Sequence, residues 1–102
     1  IIHFNDVYNI EQLRGKGGAA AFTSLVNDIK RLNPIILFSG DFISPSSMSI
    51  VTKGGHLIDV MNHFGIHCGM IGNHECDFGE ENCINVLKQL DYPTLNSNIL
   101  TG

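Results

Sequence analysis

The chain lacks any concentration of positive charge. Its six lysines and arginines are scattered, with Lys30-Arg31 the one adjacent pair, against ten aspartates and glutamates, and the net charge is −4, so binding along a nucleic-acid backbone is not expected. Long hydrophobic runs are missing too. The longest, such as Ile35-Ile36-Leu37-Phe38, hold about four residues against the roughly 20 that a membrane-spanning helix needs, so no membrane segment is expected. Cysteine is scarce: Cys68, Cys76 and Cys83 are three in number, cannot all pair within the chain, and lack the CxxC spacing of a thiolate zinc site. They read as reduced packing thiols, which favours a reducing compartment such as the cytoplasm. No GxGxxG run follows the first strand, which weighs against an ordinary nucleotide-binding βαβ module. The chain opens on Ile1 with no basic region or leader ahead of it, and the expectation is a piece of something longer.

What is present is the composition of one globular unit, 43% hydrophobic and 16% charged. Strand and helix patterns alternate along it. Ile1 to Phe4 reads as a strand, followed by a glycine-rich turn, Gly15 to Gly18, and a helix whose inward stripe is Phe22, Leu25, Val26, Ile29 and Leu32, stopped by Pro34. Ile35 to Phe38 is a continuous apolar run, as expected of a strand buried on both faces. A Ser- and Pro-containing loop leads to a second helical stripe, Leu57, Ile58, Met61 and Phe64, closed by Gly65. Gly69 to Ile71 is a third strand. A helix from about Glu80 to Leu90 follows, with Cys83, Ile84, Leu87 and Leu90 facing inward and two glutamates near its positive end. Thr94 to Asn96 is a fourth strand.

This βαβαβαβ order implies right-handed crossovers and a mostly parallel sheet, an α/β fold. Function in such sheets collects beyond the carboxyl ends of the strands. Asn5-Asp6, Gly40-Asp41 and Gly72-Asn73-His74 all fall there. Alone, each has a bland explanation, since aspartate and asparagine are turn and cap residues and a lone histidine is usually structural. Together they bring carboxylate and amide oxygens to one sheet edge, a donor set for hard or borderline divalent cations. Two such ions can clamp a phosphoryl group and lower the pKa of a water between them.

The blocks themselves resemble a family. Phe4-Asn5-Asp6-Val7-Tyr8, Phe38-Ser39-Gly40-Asp41-Phe42 and Gly72-Asn73-His74-Glu75-Cys76-Asp77-Phe78-Gly79 are similar, in order and spacing, to three signatures of the calcineurin-like metallophosphoesterases. Lys53-Gly54-Gly55, Ile58 to Asn62 and Leu95 to Ile99 look like the 5′-nucleotidase branch. The resemblance implies that residues 1–102 are the N-terminal portion of a catalytic domain, half of a four-layer α/β/β/α sandwich. It implies two divalent ions (manganese, zinc, iron or magnesium), with Asp6 a ligand of the first, Asp41 bridging both and Asn73 on the second. His74 would meet the phosphate and help the leaving oxygen depart, with Asp77 as its carboxylate partner. The substrate implied is a small phosphoester, most readily a nucleotide. Phosphoesterases of nucleotide-sugars, cyclic nucleotides or phosphoproteins are alternatives, as is a catalytically silent binding relative.

Two departures qualify this. Tyr8 stands where the family usually has a metal-ligating histidine, and a phenol with a pKa of about 10 ligates poorly unless the metal draws off its proton. The family's further histidine ligands lie downstream, and no histidine follows His74. The other four, His3, His56, His63 and His67, match no ligand position and read as structural or solvent-facing. The remainder of the catalytic domain is therefore an implied partner.

Overall fold

The computed structural model describes residues 1–12 and 14–99. The elements run β1 (Ile2–Phe4), α1 (Ala19–Ile29), β2 (Ile36–Phe38), α2 (Ser47–Thr52), α3 (Ile58–His63), β3 (Cys68–Met70), α4 (Glu80–Leu87) and β4 (Thr94–Leu95). All pairings are parallel and the strand order is β1-β2-β3-β4. Each crossover thus steps one strand in the same direction. Right-handed crossovers that all step the same way must lay their helices on one face. The α/β class expected from the strand and helix alternation is the one observed.

The register sorts the strand residues. Ile2, Phe4, Ile36, Phe38, Gly69 and Thr94 share one face, since Ile2 pairs with Ile36, Phe4 with Phe38, Phe38 with Gly69 and Gly69 with Thr94. Helices cover that face. The rings of Phe4 and Phe22 from α1 lie 4.7 Å apart, Phe22 and Phe64 lie 4.8 Å apart, and Phe38 meets Phe42 at 6.1 Å. Val26, Leu57, Met61 and Phe64 are buried around them. The other face carries His3, Leu37, Cys68, Met70 and Leu95 and has no layer over it among the described residues.

That open face corrects one expectation. The run at β2 is not buried on both sides: Ile36 and Phe38 are buried, whereas Ile35 is 53% exposed and Leu37 half-buried. Leu25 and Leu32 are also exposed, contrary to the expected stripe of the first helix. The α-helix tightens to a 3-10 turn at Lys30–Leu32 and ends on Asn33 in the left-handed region (φ 47°), which carries Leu32 off the stripe. In α4 the buried residues are Cys83 and Val86, with Leu87 and Leu90 packed beside them, while Ile84 faces out. Spacings of three, four and seven from Cys83 define a single helical face, and Ile84 lies a quarter-turn off it.

α2 falls in the stretch read as a loop. Six residues hold no amphipathic period, but Ser46 and Ser49 form a reciprocal capping box in which each side chain accepts the other's backbone N–H, at 3.0 and 2.8 Å. No helix of the described residues is long and apolar enough to cross a membrane.

Candidate functional site

The turns beyond β1, β2 and β3 lie side by side at the carboxyl edge of the sheet. Backbone bonds continue the ladder past the strands: the N–H of Ser39 donates to Phe4 O at 3.0 Å and that of Asp6 to Gly40 O at 3.1 Å. Asp6 (φ 58°) and Asp41 (φ 66°) both adopt the left-handed conformation. That region disfavours residues with a Cβ, aspartate less than most, and such strain is retained where surroundings over-determine it, commonly at functional sites. Gly40, at φ 90°, opens the second turn, and a Cβ on it would lie 2.6 Å from Gly72 Cα. The β2 and β3 turns therefore touch backbone to backbone.

Side chains lock this contact. Asp41 Oδ1 accepts the backbone N–H of His74 at 2.7 Å. Glu75, wholly buried, accepts the N–H groups of Asp41 (2.8 Å) and Gly72 (2.5 Å) on Oε2 and that of Phe42 (2.7 Å) on Oε1. His74 Nδ1 and Asp77 Oδ2 are 2.8 Å apart on a half-exposed surface. The hydrogen bond to Asp77 is the main cause that raises the His74 pKa above its ordinary value. Desolvation opposes it, and the charges of Asp77, Asp41 and Asp6 add to it. Asp77 is correspondingly lowered, by its hydrogen bonds with His74 and Ser44.

Asp41, His74 and Asp77 thus come together directly, with Asp6 in the neighbouring turn and Asn73 exposed between Gly72 and His74. Asp6 Oδ2 accepts from Asn5 Nδ2. Tyr8 is half-buried against the core and borders a cleft with Ser47, Met48 and His56. Among the described residues no three His, Cys, Asp or Glu side chains gather as a metal cluster. Apart from Glu75 and Asp77, which are engaged by backbone amides and by His74, the side-chain oxygens here are those of Asp6, Asp41 and the Asn73 amide, a set that fits part of a hard-cation site and needs further ligands to complete it. His67 Nδ1 accepts the N–H of Ile36, and His56 Nδ1 meets the Thr52 hydroxyl, so both serve the fold.

Glu75 is the residue at this edge to which sequence reasoning assigned no role. It stood inside the Gly-Asn-His-Glu block, but a charged residue in a turn reads as solvent-facing. The only available signal was its position next to His74.

No family model matches the chain. It is 33% identical to bovine 5′-nucleotidase over 97% of its own length and 20% of that protein. The solved structure of Haemophilus influenzae NAD nucleotidase superimposes with a TM-score of 0.82 at 30% identity, covering 94% of this chain and 22% of that one. The chain is a relative of the 5′-nucleotidases over nearly its whole length. The fold is shared more widely: the Bacillus subtilis calcineurin-like phosphoesterase YfkN gives a TM-score of 0.80 at 20% identity over 93% of this chain and 35% of its own. The chain spans about one fifth of the length of the 5′-nucleotidase relatives it matches. Its three blocks, at residues 4–8, 38–42 and 72–79, supply the turns that meet at the carboxyl edge.

Proposed function

We propose that this chain is the N-terminal part of the catalytic domain of a metal-dependent phosphoester hydrolase that releases phosphate from nucleotides. The observation that carries the proposal is the bond from the His74 backbone to Asp41 Oδ1, which binds a carboxylate to the segment bearing the His74–Asp77 pair. The names of the matched proteins, 5′-nucleotidase and NAD nucleotidase, support nucleotides as the substrate class.

Asp6, Asp41 and Asn73 are the proposed metal-holding residues, with Asp41 offering its second oxygen as well as the one that His74 N–H engages. Two divalent ions held there would neutralise phosphoryl charge and acidify a water. His74, whose charged form Asp77 favours, would offer a proton and a positive charge to a phosphate oxygen or to the leaving oxygen. The open sheet face, with Leu37 half-buried and Met70 and Leu95 exposed, supports a second half of the domain as the layer that covers it and brings further ligands.

A phosphate-release assay on the full-length protein tests this, using nucleoside monophosphates, nucleotide-sugars, cyclic nucleotides and a phosphopeptide with manganese, zinc or magnesium. Release from the nucleoside monophosphates first is the expected result, and preference for another arm reassigns the substrate. Tyr8, in place of a histidine, favours one second reading, a catalytically silent relative. Metal-free full-length protein with no turnover on any arm supports that reading against ours.

A further inference from the structure

Glu75 has no exposed surface, yet its side chain is ionisable and lies against a turn rather than a cation. Burying a carboxylate is costly unless its oxygens are satisfied. Here the donors are backbone amides, and they come from two separate segments. Oε2 takes the N–H of Asp41, in the turn after β2, and the N–H of Gly72, in the turn after β3. Oε1 takes the N–H of Phe42, with Ile43 N more distant at 3.5 Å. A single oxygen atom therefore joins the two turns.

Asp41 sits at φ 66°, a conformation that needs external support. Two contacts provide it: Glu75 holds its N–H, and the N–H of His74 holds its side chain. The close approach of Gly40 to Gly72 leaves no room for a bulkier tie between the same segments. We infer that Glu75 is a positioning residue, which sets the separation of Asp41 from Asn73 and His74 by clamping their two turns. The inference rests on the proposed reading of Asp41 and Asn73 as metal ligands. Buried partners that orient ligands in this way are worth about 10- to 100-fold in metal affinity when removed.

Glu75→Gln is the informative variant. The amide keeps the shape but replaces one acceptor oxygen with an NH2 group that faces N–H donors, so at least one side of the clamp opens. Glu75→Asp keeps the carboxyl group with a shorter reach and serves if the glutamine variant does not fold. In the full-length protein, manganese affinity is measured by calorimetry, turnover as a function of manganese concentration, and amide exchange at residues 41, 42 and 72. Glu75→Gln is expected to bind manganese about 10- to 100-fold more weakly, with turnover recovering at excess metal. Exchange should quicken at those three amides while β2 and β3 stay protected, and Glu75→Asp should recover part of the affinity. Wild-type affinity with the three amides still protected overturns the inference. So does loss of protection across the whole sheet with no rescue by metal, which marks a merely structural role. If the aspartate variant is the only one to fold, weaker manganese binding with an intact sheet supports the inference and unchanged binding overturns it. Wild-type protein that binds no manganese sinks the functional reading instead, and the exchange at 41, 42 and 72 still decides whether Glu75 clamps the turns.

Discussion

The backbone N–H of His74 donates a 2.7 Å hydrogen bond to Oδ1 of Asp41, 33 residues earlier in the chain. A proposed metal ligand and a proposed proton donor are thereby parts of one rigid unit. Displacing either turn moves both, yet the side chains have different work, and their variants should separate.

Asp41→Ala in the full-length protein should lose metal and activity together, because a proposed metal-holding carboxylate disappears. His74→Ala should retain metal while turnover slows by about 10² to 10⁴-fold, the range for losing a positioned acid or base. Elemental analysis beside turnover separates the two. Comparing a substrate with a basic leaving alkoxide to an activated aryl phosphate adds a finer check. If His74→Ala sheds the metals, or slows both substrates equally, the leaving-oxygen role is wrong.

Asp77→Asn should move the His74 pKa downward toward its ordinary value, since the carboxylate charge is removed and the hydrogen bond becomes a weaker, neutral one. The protonated imidazole would then be lost at lower pH. Any activity that needs it should have its alkaline limb move toward acid, with little change at pH values low enough for His74 to be charged in both proteins. NMR titration of the imidazole in each protein reads the shift directly. A limb that stays put would mean that His74 does not act as a cation.

Tyr8 packs against the core, so Tyr8→Phe should leave metal content unchanged. Tyr8→His, which supplies an imidazole at the family's ligand position, should tighten manganese binding by about tenfold or more. Loss of metal in Tyr8→Phe would make the phenol a ligand after all.

Gly40→Ala should destabilise strongly, on the order of 3 kcal/mol, because a Cβ meets Gly72 backbone and φ is 90°. Gly55→Ala is the control, with open space around its added methyl and no positive φ, and should be neutral or slightly stabilising. Urea melts of the full-length variants compare them. Equal midpoints would show that the two turns do not touch.

Residues 1–102 alone should lack a cooperative melt, since Met70 and Leu95 lie 47% and 60% exposed on an uncovered sheet face. Circular dichroism and amide exchange on that segment check this. A sharp transition with full protection would overturn the half-domain proposal.

The elements were legible because periodicity is local. Phe22, Val26 and Ile29 announce a helix from their spacing and the apolar run Ile35 to Phe38 a strand, and the strand-helix alternation implies parallel pairing. Short pieces escape that test. α2 has six residues and is held by the Ser46–Ser49 box rather than by an apolar stripe. Leu25 and Ile84 were misassigned because spacing identifies a face only to within a residue or so, and burial then depends on what packs opposite.

For the site, the sequence alone placed Asp6, Asp41, Asn73 and His74 after strands, because a side chain's position beyond a strand end follows from chain order. It also paired His74 with Asp77, three residues on, through the family resemblance, and the structure puts them 2.8 Å apart. Only the tertiary structure decided what Glu75 does. Its partners, the N–H groups of Asp41, Phe42 and Gly72, belong mostly to a turn more than 30 residues away, and they converge on it because parallel β2 and β3 bring their two ends into register. Chain pattern records which residues favour a strand or a turn. The burial of a carboxylate among backbone amides depends on distances between segments, and those exist only once the sheet has formed.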